Sequence, residues 1–142
     1  MKNLVTLVRL HKWRIDESTR KLGELEALAN RFKAQIEGIA DALAREAVLA
    51  GDSVEAAASY SSFMVVQMGR RRTLEQSLSD LGHEIAEARD QLAAAYRELK
   101  SYEITLERKR GHAARARDRR EQATLDEIGQ ILHRARAAGG LA

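Results

Sequence analysis

The 142-residue sequence has no cysteine and no proline, and only 4% of its residues are aromatic. Without cysteine, disulfide bonds and thiolate metal sites are excluded. Without proline, the chain lacks the residue that breaks helices most strongly. Aromatic side chains dominate thick hydrophobic cores, and here they are too few to do so. The composition, rich in Ala, Leu, Glu, Arg and Lys, therefore predicts long helices that pack along a thin apolar interface.

Long hydrophobic runs are also missing. The longest run falls far short of the about 20 apolar residues that cross a bilayer. The first residues, MKNLVTLVRLHKWR, carry charges within their apolar part and no small-residue cleavage site, so they do not resemble a secretory signal. We therefore expect a cytoplasmic protein. The formal net charge of +3 is mild and does not by itself require a polyanionic partner.

The sequence contains no recognisable catalytic or cofactor-binding motif. Four histidines are scattered along the chain, at positions 11, 83, 112 and 133, and none has the spacing of a metal site. There is no glycine-rich phosphate loop, and two helices offer no cleft for a Ser-His-Asp triad. We predict no enzyme activity, no cofactor and no bound metal. His11 is interpreted as a tolerated polar residue in the helix interface.

Apolar residues recur with heptad spacing in two stretches, which we name seam 1 and seam 2. Seam 1 comprises Leu4, Val8, His11, Ile15, Ser18, Leu22, Leu25, Ala29, Phe32, Ile36, Ile39 and Leu43. Seam 2 comprises Leu74, Leu78, Leu81, Ile85, Ala88, Leu92, Ala95, Leu99, Tyr102 and Leu106. Such narrow stripes suit packing against one partner helix.

The two seams are separated by AGDSVEAAAS at residues 50–59, which predicts a tight turn. Gly51 can end the first helix in a left-handed conformation. Asp52 can cap the second helix, with Glu55 completing a capping box. We therefore predict an all-α fold in which residues 1–142 form one antiparallel coiled-coil hairpin. Its first helix spans about 4–50, its turn about 51–53 and its second helix about 54–138.

Folding the chain at this turn places residues opposite one another when their numbers add to roughly 107. Residues beyond about Leu106 then have no helix of their own chain to pack on, so we expect an overhanging C-terminal helix. The overhang is rich in arginine. A solvated face is one interpretation of these charges, and a surface for an acidic protein partner is another. Nucleic acid is disfavoured because acidic residues are interleaved and no aromatic residues accompany the run.

Bulky apolar residues cluster just after the turn: Tyr60, Phe63, Met64, Val65, Val66 and Met68. They cover more of the helix than one partner stripe requires. They either close the end of the hairpin or form a partner-binding patch, since exposed apolar surface usually marks an interface. Both interpretations are compatible.

Three stretches taken together resemble the FliJ family of the flagellar type III export apparatus. They are SYSSFMVVQ with Tyr60 and Phe63, then ELKSYEITLERKR, and finally REQATLDEIGQ. Family motifs match the following positions of this chain: Leu22, Gly23, Glu24, Tyr60, Phe63, Lys100, Glu103, Leu106, Gln122, Asp126 and Glu127. The resemblance extends over essentially the whole chain.

The resemblance implies a non-enzymatic stalk and adaptor between the hexameric export ATPase and the membrane export gate, which also escorts export chaperones. It implies a location in the cytoplasm, peripheral to the inner membrane at the flagellar base. Gate contacts would match Gln35, Ile39, Tyr60, Phe63 and Gln67. The family often has tyrosines where this chain has Ala42 and Glu46.

We expect the overhang to contact the export ATPase, because its mixed charges suit a ring lined by charged and apolar loops. The expected ATPase contacts are Arg119, Arg120, Gln122, Asp126 and Glu127. Two alternatives remain at this point: the stalk of a related virulence secretion system, and a purely structural coiled coil.

Overall fold

The computed structural model of the protein describes residues 2–140, with Gly140 described by its backbone alone. Helix α1 spans Lys2–Leu49, a short 3-10 turn spans Ala50–Asp52, and helix α2 spans Val54–Gly140. No strand occurs in this part of the chain. The predicted all-α fold of two antiparallel helices is confirmed. The predicted hairpin also included residues 1, 141 and 142, which lie outside the described residues.

Contacts divide the chain into two units. We name residues 13–96, which contain the turn, the turn unit. Residues 1–12 together with 97–142 form the second unit, which we name the termini unit. Each unit contains one part of α1 and one part of α2, and each is described by itself below.

The turn unit has a small apolar core where the two helices meet. Ala29, Leu81 and Ile85 are buried there, with exposed fractions of 5–8%. The partly buried side chains that pack against these three are Leu22, Leu25, Leu28, Phe32 and Leu78. Next to the core, the guanidinium of Arg89 donates to the carboxylate of Glu26 across the helix pair, at 2.9 Å. Both partners of this ion pair are largely exposed, so its contribution to the free energy of unfolding is small.

The termini unit pairs the start of α1 with α2. Val8 and Leu106 are both buried at 7% exposure. The imidazole of His11 lies against the ring of Tyr102, with 4.9 Å between ring centroids. His11, interpreted from the sequence as a tolerated polar residue in the helix interface, is half-buried and lies in that interface.

The heptad pattern correctly identifies the faces that pack. Every position of seam 2 is buried or half-buried, and in seam 1 only Ser18 is exposed. A helix that faces one partner buries the residues at steps of three and four and leaves the others in solvent.

The pairing of residues differs from the prediction. The numbers of His11 and Tyr102 add to 113, and those of Glu26 and Arg89 add to 115, instead of roughly 107. The cause lies at the start of α2, where Val54 is 87% exposed. Because the first turn of α2 does not pack on α1, pairing begins several residues later than predicted.

The turn itself also differs from the prediction. Gly51 lies in the 3-10 turn, and no described glycine has a positive φ. Ser53, with extended backbone angles of φ −162° and ψ 165°, caps α2 in place of Asp52. Its hydroxyl oxygen accepts from the Ala56 N–H at 2.9 Å. The predicted left-handed glycine and capping box are therefore wrong, because the right-handed turn continues one residue further.

The overhang also starts later along α2 than predicted, because the two helices pair in a different register. Gly111, Ala114 and Ala116 are still half-buried, whereas every residue described from Arg117 to Gly139 is exposed. The predicted overhang after Leu106 therefore begins about ten residues too early. We name residues 117–139 the terminal segment.

Candidate partner-binding surfaces

The turn unit contains a hollow between its two helices, with a volume of about 280 Å³. Three of the residues expected at the export gate line it: Gln35, Ile39 and Gln67. The remaining lining residues are Gly38, Ala42, Arg70 and Leu74. The hollow exists because Gly38 and Ala42 present little side-chain volume at this level. A methyl group added at Gly38 would meet no atom within 4 Å.

The residues that line the hollow differ in their exposure and in the chemical groups that they present to a partner. Ile39 is only 6% exposed, so its side chain forms the floor of the hollow. Gln35 is exposed and Gln67 is half-buried, which leaves their amide groups able to hydrogen-bond outward. A partner side chain that entered the hollow would therefore find an apolar floor and a polar rim.

The two aromatic residues expected at the gate lie outside this hollow. Tyr60 and Phe63 are both half-buried on α2, closer to the turn. Their partial burial agrees with a role in closing the helix pair and leaves part of each ring accessible. The structure thus groups three of the five expected gate residues in one hollow and places the other two nearer the turn.

Apolar side chains near the turn are exposed. On α2, Val65 is 70% and Val66 64% exposed, and Met64 and Met68 are 40% and 42% exposed. At the turn itself, Val48, Leu49 and Val54 are 78%, 54% and 87% exposed. Sequence reasoning identified the first group and missed the second. The available signal was that Val48 and Leu49 are apolar although they follow Leu43, the last position of seam 1.

The terminal segment contains all five residues expected to contact the ATPase, and all five are exposed. Arg119, Gln122 and Asp126 share one face of the helix by their spacing of three and four residues. The Gln122 amide donates to the Asp126 carboxylate at 3.1 Å, and the Arg120 guanidinium donates to the Ala116 carbonyl at 3.3 Å. These are bonds within one helix, so the charges remain available to a partner.

The terminal segment also carries exposed apolar side chains. They are Leu125 at 62%, Ile128 at 48%, Ile131 at 56% and Leu132 at 55% exposure. Leu125, Ile128 and Leu132 follow one another by three and four residues and form a stripe on a different face from Arg119 and Asp126. In this segment α2 is thus amphipathic without a helix packed against its apolar face.

A comparison with protein families finds one match, described as the flagellar FliJ protein, over residues 1–138. The chain belongs to the FliJ family. The match confirms the resemblance identified from the sequence. Neither curated proteins nor solved structures give a match.

The FliJ family is a non-catalytic part of flagellar type III export, so membership associates the protein with that export apparatus. No helix within residues 2–140 has the length and apolar character needed to cross a membrane. Among the described residues, no group of three or more His, Cys, Asp or Glu side chains is placed to hold a metal ion.

Proposed function

We propose that this FliJ-family protein acts as a stalk and adaptor in flagellar type III export, linking the export ATPase to the membrane export gate. In this role it also escorts export chaperones. The observation that carries the proposal is the exposed, amphipathic terminal segment. Leu125, Ile128 and Leu132 form an apolar stripe in solvent, and such a stripe on a helix is typical of a face that a partner covers.

The terminal segment is proposed to bind the export ATPase. Charged residues at a rim speed association and select the partner, while apolar side chains supply contact area. The charged and polar residues of this rim are Arg119, Arg120, Gln122, Asp126 and Glu127. The apolar contact area comes from the stripe at Leu125, Ile128 and Leu132.

The turn unit is proposed to bind the export gate. The hollow lined by Gln35, Ile39 and Gln67 accepts a side chain, and Tyr60 and Phe63 lie nearby on the same unit. The neighbouring exposed methionines suit a surface that adapts to its partner, because methionine is flexible and polarisable.

Binding of the purified proteins tests both assignments. Reversing the charge of Arg119 and Arg120 to Glu should weaken ATPase binding and make it less sensitive to salt, because two charge contacts are lost. Phe63→Ala should weaken binding of the gate's cytoplasmic domain and leave ATPase binding unchanged. If each variant weakens both partners equally, or neither, the division of the protein into two binding surfaces is wrong.

Hydrogen exchange provides a second test of the ATPase surface. A helix without tertiary contacts is marginal in water, so the terminal segment should exchange faster than the seam residues of α2 in the free protein. Adding the ATPase should slow exchange there, with residues 74–96 as the internal reference. Unchanged exchange in residues 117–139 would contradict ATPase binding at this segment.

A further inference from the structure

The face of α2 that points away from α1 carries a basic stripe between residues 97 and 115. Its cationic members are Arg97, Lys100, Arg108 and Arg115, all exposed. Arg97, Arg108 and Arg115 are 11 and 7 residues apart, close to whole numbers of helical turns, and Lys100 lies three residues after Arg97, so these positions project together. The stripe lies within the termini unit and precedes the terminal segment.

The carboxylates of this part of α2 border the stripe on either side. Glu103 and Glu107 line a hollow together with Val8 and Lys12 of α1, on the side where the two helices pack. Glu98 accepts a hydrogen bond from the Tyr102 hydroxyl at 3.2 Å. Acidic groups therefore flank the stripe on both sides, and Arg110 lines the same hollow as Glu103 and Glu107, while the four cations of the stripe face solvent.

Within residues 2–140, the cations of the basic stripe are not paired with a carboxylate. Among the salt bridges of the described residues, none involves Arg97, Lys100, Arg108 or Arg115. Arg97 and Lys100 are like charges three residues apart, an arrangement that slightly destabilises an isolated helix. A partner with negative charge would remove this repulsion.

The centre of the stripe is a shallow hollow of about 440 Å³ around one apolar residue. Ile104 is 39% exposed at its centre. Arg97, Lys100, Ser101, Thr105 and Arg108 complete the lining. The Thr105 hydroxyl donates to the backbone carbonyl of Ser101 at 3.0 Å, so the Thr105 side chain stays close to the helix.

We propose that this stripe docks a helix of a protein partner that carries a carboxylate about every second turn and an apolar residue opposite Ile104. Lys100, Arg108 and Arg115 are spaced by seven or eight residues, which is about 10.5–12 Å along a helix. A carboxylate every seven residues on a partner helix has the same spacing. The surface is separate from the proposed ATPase and gate surfaces, and it does not depend on either assignment.

Nucleic acid fits the stripe less well. Duplex DNA carries about one charge per 1.7 Å, several times denser than these cations. Single strands are held by aromatic side chains that stack on bases, and the stripe contains none. The apolar centre at Ile104 favours the side chain of a protein partner.

Binding of a synthetic probe to the full-length protein tests the proposal. The probe is a fluorescent helical peptide of about 20 residues with glutamate every seventh position and one central leucine. Its control replaces each glutamate by glutamine, and a single-stranded oligonucleotide of equal charge is measured alongside. We expect the glutamate peptide to bind, with an affinity that falls as salt is added, and the glutamine peptide not to bind.

Charge reversal locates the site. The triple variant Arg97→Glu, Lys100→Glu, Arg108→Glu should weaken binding of the glutamate peptide about tenfold or more. The matched control reverses three exposed cations of α1 with the same change in net charge: Arg31→Glu, Lys33→Glu and Arg45→Glu. It should leave the affinity within about twofold. Circular dichroism should show equal helicity for both variants, because all six residues are exposed.

Three results would overturn the proposal. The first is no binding of the glutamate peptide. The second is an equal loss in the control variant, which would mean that only net charge matters. The third is tighter binding of the oligonucleotide that is lost in the triple variant, which would make the stripe a nucleic-acid surface.

Discussion

The rings of His11 and Tyr102 lie against each other across the two helices, tilted by 33° with centroids 4.9 Å apart. This contact joins the start of α1 to α2. The Tyr102 hydroxyl also donates to the Glu98 carboxylate, one turn earlier on α2. The hydrogen bond and the negative charge of Glu98 raise the pKa of Tyr102 above its ordinary value.

The raised pKa predicts how stability changes at alkaline pH. A raised pKa means that folding favours the protonated phenol, so this contribution is present below the ordinary tyrosine pKa and is lost as pH rises through the folded value. Replacing the other two tyrosines, Tyr60→Phe and Tyr96→Phe, leaves Tyr102 as the single phenol. The absorbance of its tyrosinate should then report the raised pKa of Tyr102. Glu98→Gln should lower that pKa, because the charge is removed. An unchanged titration would contradict the interaction with Glu98.

The cap of α2 makes a second prediction. Ser53→Ala should reduce the free energy of unfolding by about 1 kcal/mol, because the Ala56 N–H loses its hydrogen-bond acceptor. Asp52→Ala should have a much smaller effect, since Asp52 lies within the 3-10 turn. Urea denaturation of the two variants measures the difference. A larger loss for Asp52→Ala would reverse the assignment of the cap.

The small core of the turn unit makes a third prediction. Leu81 is 5% exposed, and Leu81→Ala should reduce the free energy of unfolding by about 2–3 kcal/mol. Leu125→Ala is the matched control on the same helix. Leu125 is 62% exposed, so this change should stay within about 0.5 kcal/mol. Equal destabilisation would mean that the terminal segment is packed in solution.

The pairing of the helices makes a fourth prediction. Because the chain has no cysteine, introduced thiols are its only ones. Ala29 and Ile85 belong to the same buried cluster, and their numbers add to 114, in agreement with the observed pairing. A variant with Ala29→Cys and Ile85→Cys should therefore form a disulfide within one chain on mild oxidation.

The control for this crosslink pairs Ala29→Cys with Leu74→Cys. Leu74 lines the hollow at the level of Gln35 and Ile39, so its thiol should not reach position 29. Gel mobility without reductant distinguishes a crosslink within one chain from a crosslink between chains. Disulfides formed only between chains would replace the antiparallel pair by a dimer.

Much of this fold can be predicted from the sequence, because the spacing of apolar residues along each helix identifies the face that the helix buries. The stepping by four and three in seam 2 identifies every one of its ten positions as buried or half-buried. The run of Gly51, Asp52 and Ser53 locates the break between the helices. The motifs around Tyr60 and Phe63 and at REQATLDEIGQ are sufficient to recognise the FliJ family, which the match over residues 1–138 confirms.

The tertiary structure decided which residues face each other. A heptad repeat looks the same after each shift by seven, so the seams alone leave the pairing to the turn. Here the 3-10 turn continues through Asp52, and the first turn of α2 leaves Val54 exposed, so pairing starts later than the position of the turn suggests. That shift sets where the terminal segment begins.

The tertiary structure also decided which residues of the candidate surfaces are exposed. The family resemblance placed Ile39 among the expected gate contacts, but only packing shows that it forms a buried floor while Gln35 stays exposed. Sequence also shows arginines and glutamates interleaved around residue 108. Only the position of α1 shows that Glu103 and Glu107 lie toward it while Arg97 and Lys100 face solvent. Neighbours along the chain point about 100° apart on a helix, so a mixed run of charges is distributed over several faces, and the position of the second helix decides which of them stay in solvent.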